Sequence, residues 1–235
     1  MIKNNKSFLK LHKLTKGTKG KKTKFEKYEE ESDEVYQNVL GFESEGIGDE
    51  QNNFANEYYL YRDISIDSVM SLLKFIKSAE RRWNIFLLEN SDIVEKAEPK
   101  PLKVFINSEG GDIFAAIPLI DAITNSKIPI HTYIEGIAAS AASLISMAGH
   151  KRFITSNSFM LVHELRTGVE GTYSNLTDER ENCDKLMGVI TNFYKNKTSA
   201  KFSNELLQSI LKRDLILSSN ECLEYGLVDE IVQNL

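Results

Sequence analysis

At 235 residues, with 41% hydrophobic residues and a net charge of −5, the chain is sized for one globular domain plus an extension, and its overall charge speaks against a nucleic-acid partner. Cys183 and Cys222 stand apart, with no CxxC and no histidine at metal spacing, which argues for free thiols and against a disulfide scaffold or a metal site. The longest stretch nearly free of charged and large polar residues, GIAASAASLISMAG from residue 136, is too short and small-residued for a membrane span, and no signal-peptide core is visible, so the expected location is cytoplasmic.

The charge is unevenly spread. Ten lysines fall within the first 27 residues and an acidic run, EEESDE, follows at 29–34. Neither block has the apolar periodicity to fold alone, so residues 1–55 read as a charged, flexible extension, a propeptide or a docking arm. The folded domain is expected over 56–235, starting near NEYYLYRDIS (56–65). SIDSVMSLLKFIKSAERRW (65–83) places Val69, Leu72, Leu73, Phe75 and Ile76 on one face of a helix, with Ser65 or Asp67 as its cap. NSDIVEKAEPKP (90–101) reads as a loop.

LKVFIN (102–107) is a buried strand stopped by SEGGD, and IFAAIPLIDAITNS (113–126) an apolar helix with Pro118 near its first turn or at a kink. IPIHTYIEG (128–136) is the next strand, and ASAASLISMAG (139–149) a helix closed by Gly149. KRFITSN and SFMLVHEL (151–165) are extended. A glycine-bearing loop, RTGVEGTYSN (166–175), leads into the long amphipathic segment 176–198. Short helices at 204–213 and 218–226 and a terminal strand, LVDEIVQ, complete the chain. Such alternation, with crossovers of this length, implies an α/β domain built on a mostly parallel sheet.

Two serines three positions apart, Ser140 and Ser143, lie in the small-residue run. A serine hydroxyl becomes a nucleophile when a base, a group orienting that base and donors for the developing oxyanion surround it. Ser140 follows a strand, a glycine and two alanines, where unpaired helix N–H groups favour negative charge and small neighbours leave room for a carbonyl. Ser143 lies one turn inside the helix, where its hydroxyl bonds back to a carbonyl. Position therefore favours Ser140. Of the four histidines, His163 ends an apolar strand, FMLV, and is best placed to face a cleft. Asp178, Asp184, Asp214 and Asp229 all remain candidates for the acid partner, and spacing does not choose among them.

Together, INSEGGDIFAAIPLIDAI, GIAASAAS, FMLVHE and LKRDLILSSNECLEYGLVDEIV resemble the segments of the Clp protease proteolytic subunit family, in the same order and with matching gaps, over about residues 102–235. The resemblance implies the ClpP/crotonase-like fold, repeated β-β-α units with a protruding handle helix at 176–198, and a serine endopeptidase of unfolded chains. It assigns Ser140 as nucleophile, His163 as base and acid, and Asp214 as the orienting carboxylate, with the Gly111 and Ala141 N–H groups as oxyanion donors. It further implies substrate contacts at Gly110, Gly168, Val169 and Glu170, the loop adding a strand to the substrate, and an ATPase-docking surface including Phe105 and Phe153. The partners it implies are copies of the chain in paired seven-membered rings and a hexameric AAA+ unfoldase. No cofactor, metal, nucleic acid or membrane is implied. Against the family pattern, Glu109 replaces a proline, Glu164–Leu165 replaces Gln–Pro, Lys103 replaces an aromatic, and Lys212 stands where an acidic residue is common.

Three other readings fit less of the pattern. A phage head-maturation protease of the same type would cut a few defined sites without an ATPase. A crotonase-like acyl-CoA enzyme would use two N–H groups on an oxyanion and need no Ser–His–Asp set. An inactive ring subunit would lack a triad residue.

Overall fold

Two parallel strands open the sheet, β1 (Glu57–Leu60) and β2 (Leu102–Ser108), with helix α1 (Ile66–Glu89) between them in sequence. The computed structural model describes residues 56–90, 98–198, 201 and 203–233, and the charged extension at 1–55 and part of the 90–101 loop lie outside them. The elements that follow are α2 (Ile113–Thr124), β3 (Ile130–Ala139), α3 (Ala141–Ala148), β4 (Lys151–Thr155) and β5 (Phe159–Leu161). Then come α4 (Tyr173–Lys197), α5 (Asn204–Leu211), β6 (Ile216–Ser218), α6 (Ser219–Glu224) and β7 (Glu230–Val232).

The main path of the sheet runs β1-β2-β3-β4-β7, all parallel. Strand β3 is shared. Its first half pairs with β4, from His131 opposite Lys151 to Ile134 opposite Ile154. Its second half pairs with β5, from Ile137 opposite Phe159 to Ala139 opposite Leu161, and β5 is closed by antiparallel β6. The C-terminal ends of β2, β3 and β5 thus come side by side, the place where open parallel sheets bind ligands.

One face of the sheet carries the core: Leu60, Val104, Ile106, Ile134 and Ile154 pack with Leu72 and Ile76 of α1, Leu119 and Ile123 of α2, and Ile145 of α3. The opposite face carries an aromatic ladder in register, Tyr59–Phe105–Tyr133–Phe153, with successive centroids 4.7, 5.0 and 4.5 Å apart. Such cross-strand pairs stabilise a sheet beyond the area they bury.

Local details refine the expected boundaries. Helix α1 runs six residues past 83, since no stop signal precedes Asn90, whose N–H closes on the Phe86 carbonyl. Ser65, rather than Asp67, is its cap and forms a reciprocal box with Ser68. Pro118 sits at the sixth position of α2, past the first turn, so the Phe114 carbonyl lacks its i+4 donor. Helix α4 begins at Tyr173 because Thr172 and Asn175 cap each other.

Candidate active site

Ser140 joins β3 to α3. Its backbone, at φ 53° and ψ −126°, is the one positive-φ non-glycine among the described residues. A side chain is held there at a cost of about 1–3 kcal/mol, and only where the surroundings over-determine it. The Ser140 N–H donates to the Leu161 carbonyl at 2.9 Å, tying the turn to the end of β5. All eight residues of α3 are buried, which small side chains permit.

The Ser140 hydroxyl stands apart from the other helix caps. At Ser65, Asp112, Thr172, Ser203 and Ser218 the N-cap side chain accepts a helix N–H, as these residue types usually do. Ser140 makes no such bond. Its oxygen is free to act, and the first N–H groups of α3 are left for another acceptor. Ser143, by contrast, is fully buried and its hydroxyl is committed to the Ser140 carbonyl at 2.5 Å.

The turn after β2 packs against this elbow. A Cβ on Gly110 would lie 2.6 Å from Ser140 Cβ and 2.7 Å from the Ala139 carbonyl oxygen, and its φ of +102° suits glycine alone. The segment is pinned to residue 64: Ile64 N–H donates to the Gly110 carbonyl at 2.7 Å, and Asp112 N–H to the Ile64 carbonyl at 2.8 Å. These bonds leave the Gly111 N–H outside the pairing. Asp112 then caps α2 through the N–H groups of Phe114 and Ala115.

His163 follows β5, two residues beyond the strand, and its chain is held by Glu164 N–H donating to the Leu211 carbonyl at 2.8 Å. Its Nδ1 lies 2.6 Å from the Glu164 carbonyl oxygen. A carbonyl only accepts, so this contact needs a proton on Nδ1, and in that tautomer of a neutral imidazole Nε2 is the nitrogen left to accept one. Asp214 is elsewhere engaged: its carboxylate meets the Arg166 guanidinium at 2.5 Å, with both side chains more than half exposed. Among the described residues no hydrogen bond joins His163 to Asp214 or to Ser140.

Of the other acidic candidates, Asp229 is bound to Arg152 through the backbone N–H, Nε and Nη2. Asp184 faces Arg180 along α4 at 4.0 Å. Asp178 is exposed on the same helix.

Ser140, His163, Gly111 and Ala141 line one cleft of about 840 Å³. Its apolar wall is Leu144 with Leu186, Val189, Ile190 and Tyr194 of α4, and Glu109, Glu164, Arg166, Glu179 and Lys185 contribute charged groups. Gly110 lies beneath, behind the elbow, while Gly168, Val169 and Glu170 sit on the exposed loop before α4, whose Leu165, Arg166 and Thr167 reach the cleft. Phe105 and Phe153 are only 4% and 7% exposed, stacked within the ladder. Lys103 beside them pairs with Glu57 at 2.9 Å. Arg166, Tyr194 and the Glu164 carbonyl were not marked by the sequence. A tyrosine on the inner face of a helix, needing a partner for its hydroxyl, was the available signal for Tyr194.

Among the described residues no group of histidine, cysteine, aspartate and glutamate side chains is placed to hold a metal ion, and no helix is long and apolar enough to cross a membrane. The family described as Clp protease matches residues 92–235. The chain is similar to the ATP-dependent Clp protease proteolytic subunit of Cyanophora paradoxa, 29% identical over 152 residues, 64% of this chain and 75% of that one. It is likewise similar to ATP-dependent Clp protease proteolytic subunit 2 of Treponema denticola, 31% identical over 57% of this chain and 68% of the relative. Against the ATP-dependent Clp protease proteolytic subunit of Deinococcus radiodurans it is 29% identical, covering 56% and 64%.

Proposed function

The chain belongs to the Clp protease family of serine-type peptidases, and from that premise we propose that Ser140 is its nucleophile, His163 the general base and acid, and Asp214 the carboxylate that orients His163. The single observation that carries this reading is the uncapped Ser140 hydroxyl, held at a positive-φ elbow on the cleft that His163 also lines.

Ser140 Oγ attacks the scissile carbonyl as its proton passes to His163 Nε2, forming a tetrahedral oxyanion. The Ala141 N–H, at the start of α3, and the Gly111 N–H, outside the Ile64 pairing, are the donors for that charge. His163 then protonates the leaving amine and the acyl group remains on Ser140. Water, deprotonated by His163, releases the product and restores both residues. Nδ1 must stay protonated throughout, a role the Glu164 carbonyl fills as the site stands. Asp214 takes that role, with its added charge, when Arg166 releases it.

The substrate is an unfolded polypeptide, laid along the loop 166–172 as an added strand with one side chain in the apolar part of the cleft. Proteases of this family work as oligomeric rings with Clp ATPases, and the finer reading is two seven-membered rings fed by a hexameric unfoldase. Helix α4 supports a ring contact: of its 25 residues only Ile190 and Tyr194 are buried, and Tyr173, Leu176 and Val189 expose apolar surface along it.

The test is labelling of the full chain with a fluorophosphonate, mapped by peptide mass spectrometry, beside sizing of the same sample. The adduct is expected on Ser140 and absent in Ser140→Ala, in a particle many times the 26.7 kDa chain. An adduct on Ser143, or labelling that survives in Ser140→Ala, would sink the assignment.

A further inference from the structure

The second serine of the small-residue run has a place in the geometry that its burial alone does not explain. Ser143 Oγ lies 2.5 Å from the Ser140 carbonyl oxygen and 2.7 Å from the Tyr194 hydroxyl. Its side chain is fully buried, and Tyr194, on α4, is 1% exposed. The proton count fixes the direction of the chain. The Ser140 carbonyl can only accept, so the single Ser143 proton goes to it, and Tyr194 must donate to Ser143. Burial pushes the Tyr194 phenol above its ordinary value, so it keeps that proton. The Ser143 N–H reaches the same carbonyl at 3.0 Å.

We propose that Tyr194 and Ser143 are positioning residues, a hydrogen-bond relay from the handle helix that sets the direction of the Ala141 N–H toward the oxyanion. The reason is the planarity of one peptide unit. The Ser140 carbonyl and the Ala141 N–H share it and point in opposite directions, so holding the oxygen on one side aims the hydrogen on the other. The strained Ser140 conformation needs such external support, since its own hydroxyl supplies none. The relay also makes the nucleophile turn sensitive to where α4 lies, because Tyr194 comes from a different element, 51 residues further along the chain. The inference rests on Ser140 as the nucleophile.

The test compares the full chain with Tyr194→Phe, Ser143→Ala and the double variant, each normalised to fluorophosphonate-reactive sites and checked for particle size. A fluorogenic peptide reports kcat and KM, and a peptide boronate, which forms a tetrahedral adduct on serine, reports affinity for the transition-state shape. Tyr194→Phe keeps the ring and removes only the donor. It is expected to lower kcat about tenfold per reactive site, the effect of one net hydrogen bond. KM should stay unchanged and boronate affinity should fall by the same factor. The double variant should be no slower than the slower single, since both cut one chain. A purely packing role would lower the number of reactive sites or the melting temperature and leave kcat per site and boronate affinity as they were. If Tyr194→Phe does not fold, Ser143→Ala carries the same expectations. A kcat per site within twofold of the parent in both variants overturns the relay, as does loss of kcat without loss of boronate affinity. A parent with no adduct at Ser140 overturns the nucleophile assignment and the relay with it.

Discussion

The two sides of the cleft are built differently. On the nucleophile side half-buried Ser140 is backed by groups inside the domain: α3 is wholly buried, the buried Gly110 packs against Ser140, and the carbonyl of the strained residue is held twice. On the acid–base side the groups are near the surface. His163 is half-buried and bonded to its neighbour's backbone, and Asp214 is paired with Arg166 in solvent. Strain needs a packed surround, so it is found where the core can supply one. Proton transfer needs only a base with the right tautomer, and Asp214, the proposed third member, is held by an interaction weak enough to exchange. An exposed ion pair is worth about 0–1 kcal/mol, so the Arg166–Asp214 contact is a small barrier to assembling the full set.

Asp214→Asn cuts deepest into this contrast. If Asp214 serves His163 during turnover, kcat is expected to fall by about 10³–10⁴, measured with the fluorogenic peptide at saturating concentration. Retention of most activity would mean that the Glu164 carbonyl suffices. Gly110→Ala strikes the other side: a Cβ 2.6 Å from Ser140 Cβ at a φ of +102° must displace the elbow. Activity is expected to drop about 10²-fold, the scale of a 1 Å misplacement, with circular dichroism of the fold unchanged.

Arg166→Ala sharpens the contrast from the opposite direction. Freed of its partner, Asp214 is available to His163, and kcat/KM is expected to rise by up to about fivefold. Added salt should raise parent activity toward that of the variant and leave the variant flat, since screening weakens an exposed pair. A variant less active than the parent at low salt would show that Arg166 helps the reaction instead.

A second arginine–aspartate pair provides the smallest effect. Arg152 binds Asp229 and also donates to the Lys197 and Gly226 carbonyls at 3.1 Å, fastening β4 to the end of α4 and to the C-terminal segment. Burial alone would raise the Asp229 carboxyl, but the hydrogen bonds and charge of Arg152 outweigh it and hold the group below its usual range. Its stabilisation is complete above the unfolded-state value, about 3.9, and is lost as pH falls through the lower folded value. Asp229→Asn is expected to cost about 1–2 kcal/mol at neutral pH and to flatten the acid limb of a pH–melting curve, with kcat per reactive site unchanged.

Much of the fold was legible before the structure. LKVFINS, IPIHTYIEG and the small-residue helix mark themselves by apolar runs and glycine stops, and their order implied the parallel sheet. Strands β1 and β6 were not marked. Four residues, EYYL, and three, ILS, carry too little periodicity to separate strand from loop, and each exists through a partner strand. The sequence alone places the start of α4 three residues late, because Thr172 and Asn175 read as loop chemistry until their reciprocal bonds are seen.

By itself the sequence determined most of the elements and the residue types that could do the chemistry, because those follow from local pattern along one chain, and its motifs resembled those of the family. It singled out Ser140 over Ser143 by position at a helix start. What only the tertiary structure decided is which polar group each of them meets. The uncapped hydroxyl of Ser140, the Tyr194–Ser143 chain behind it, the Glu164 carbonyl on His163 and the hold of Arg166 on Asp214 depend on atoms brought within about 3 Å. Two of these contacts join residues 48 and 51 positions apart. Hydrogen bonds and close ion pairs form only when the partners meet at short range, and periodicity has no means of recording which distant residues do.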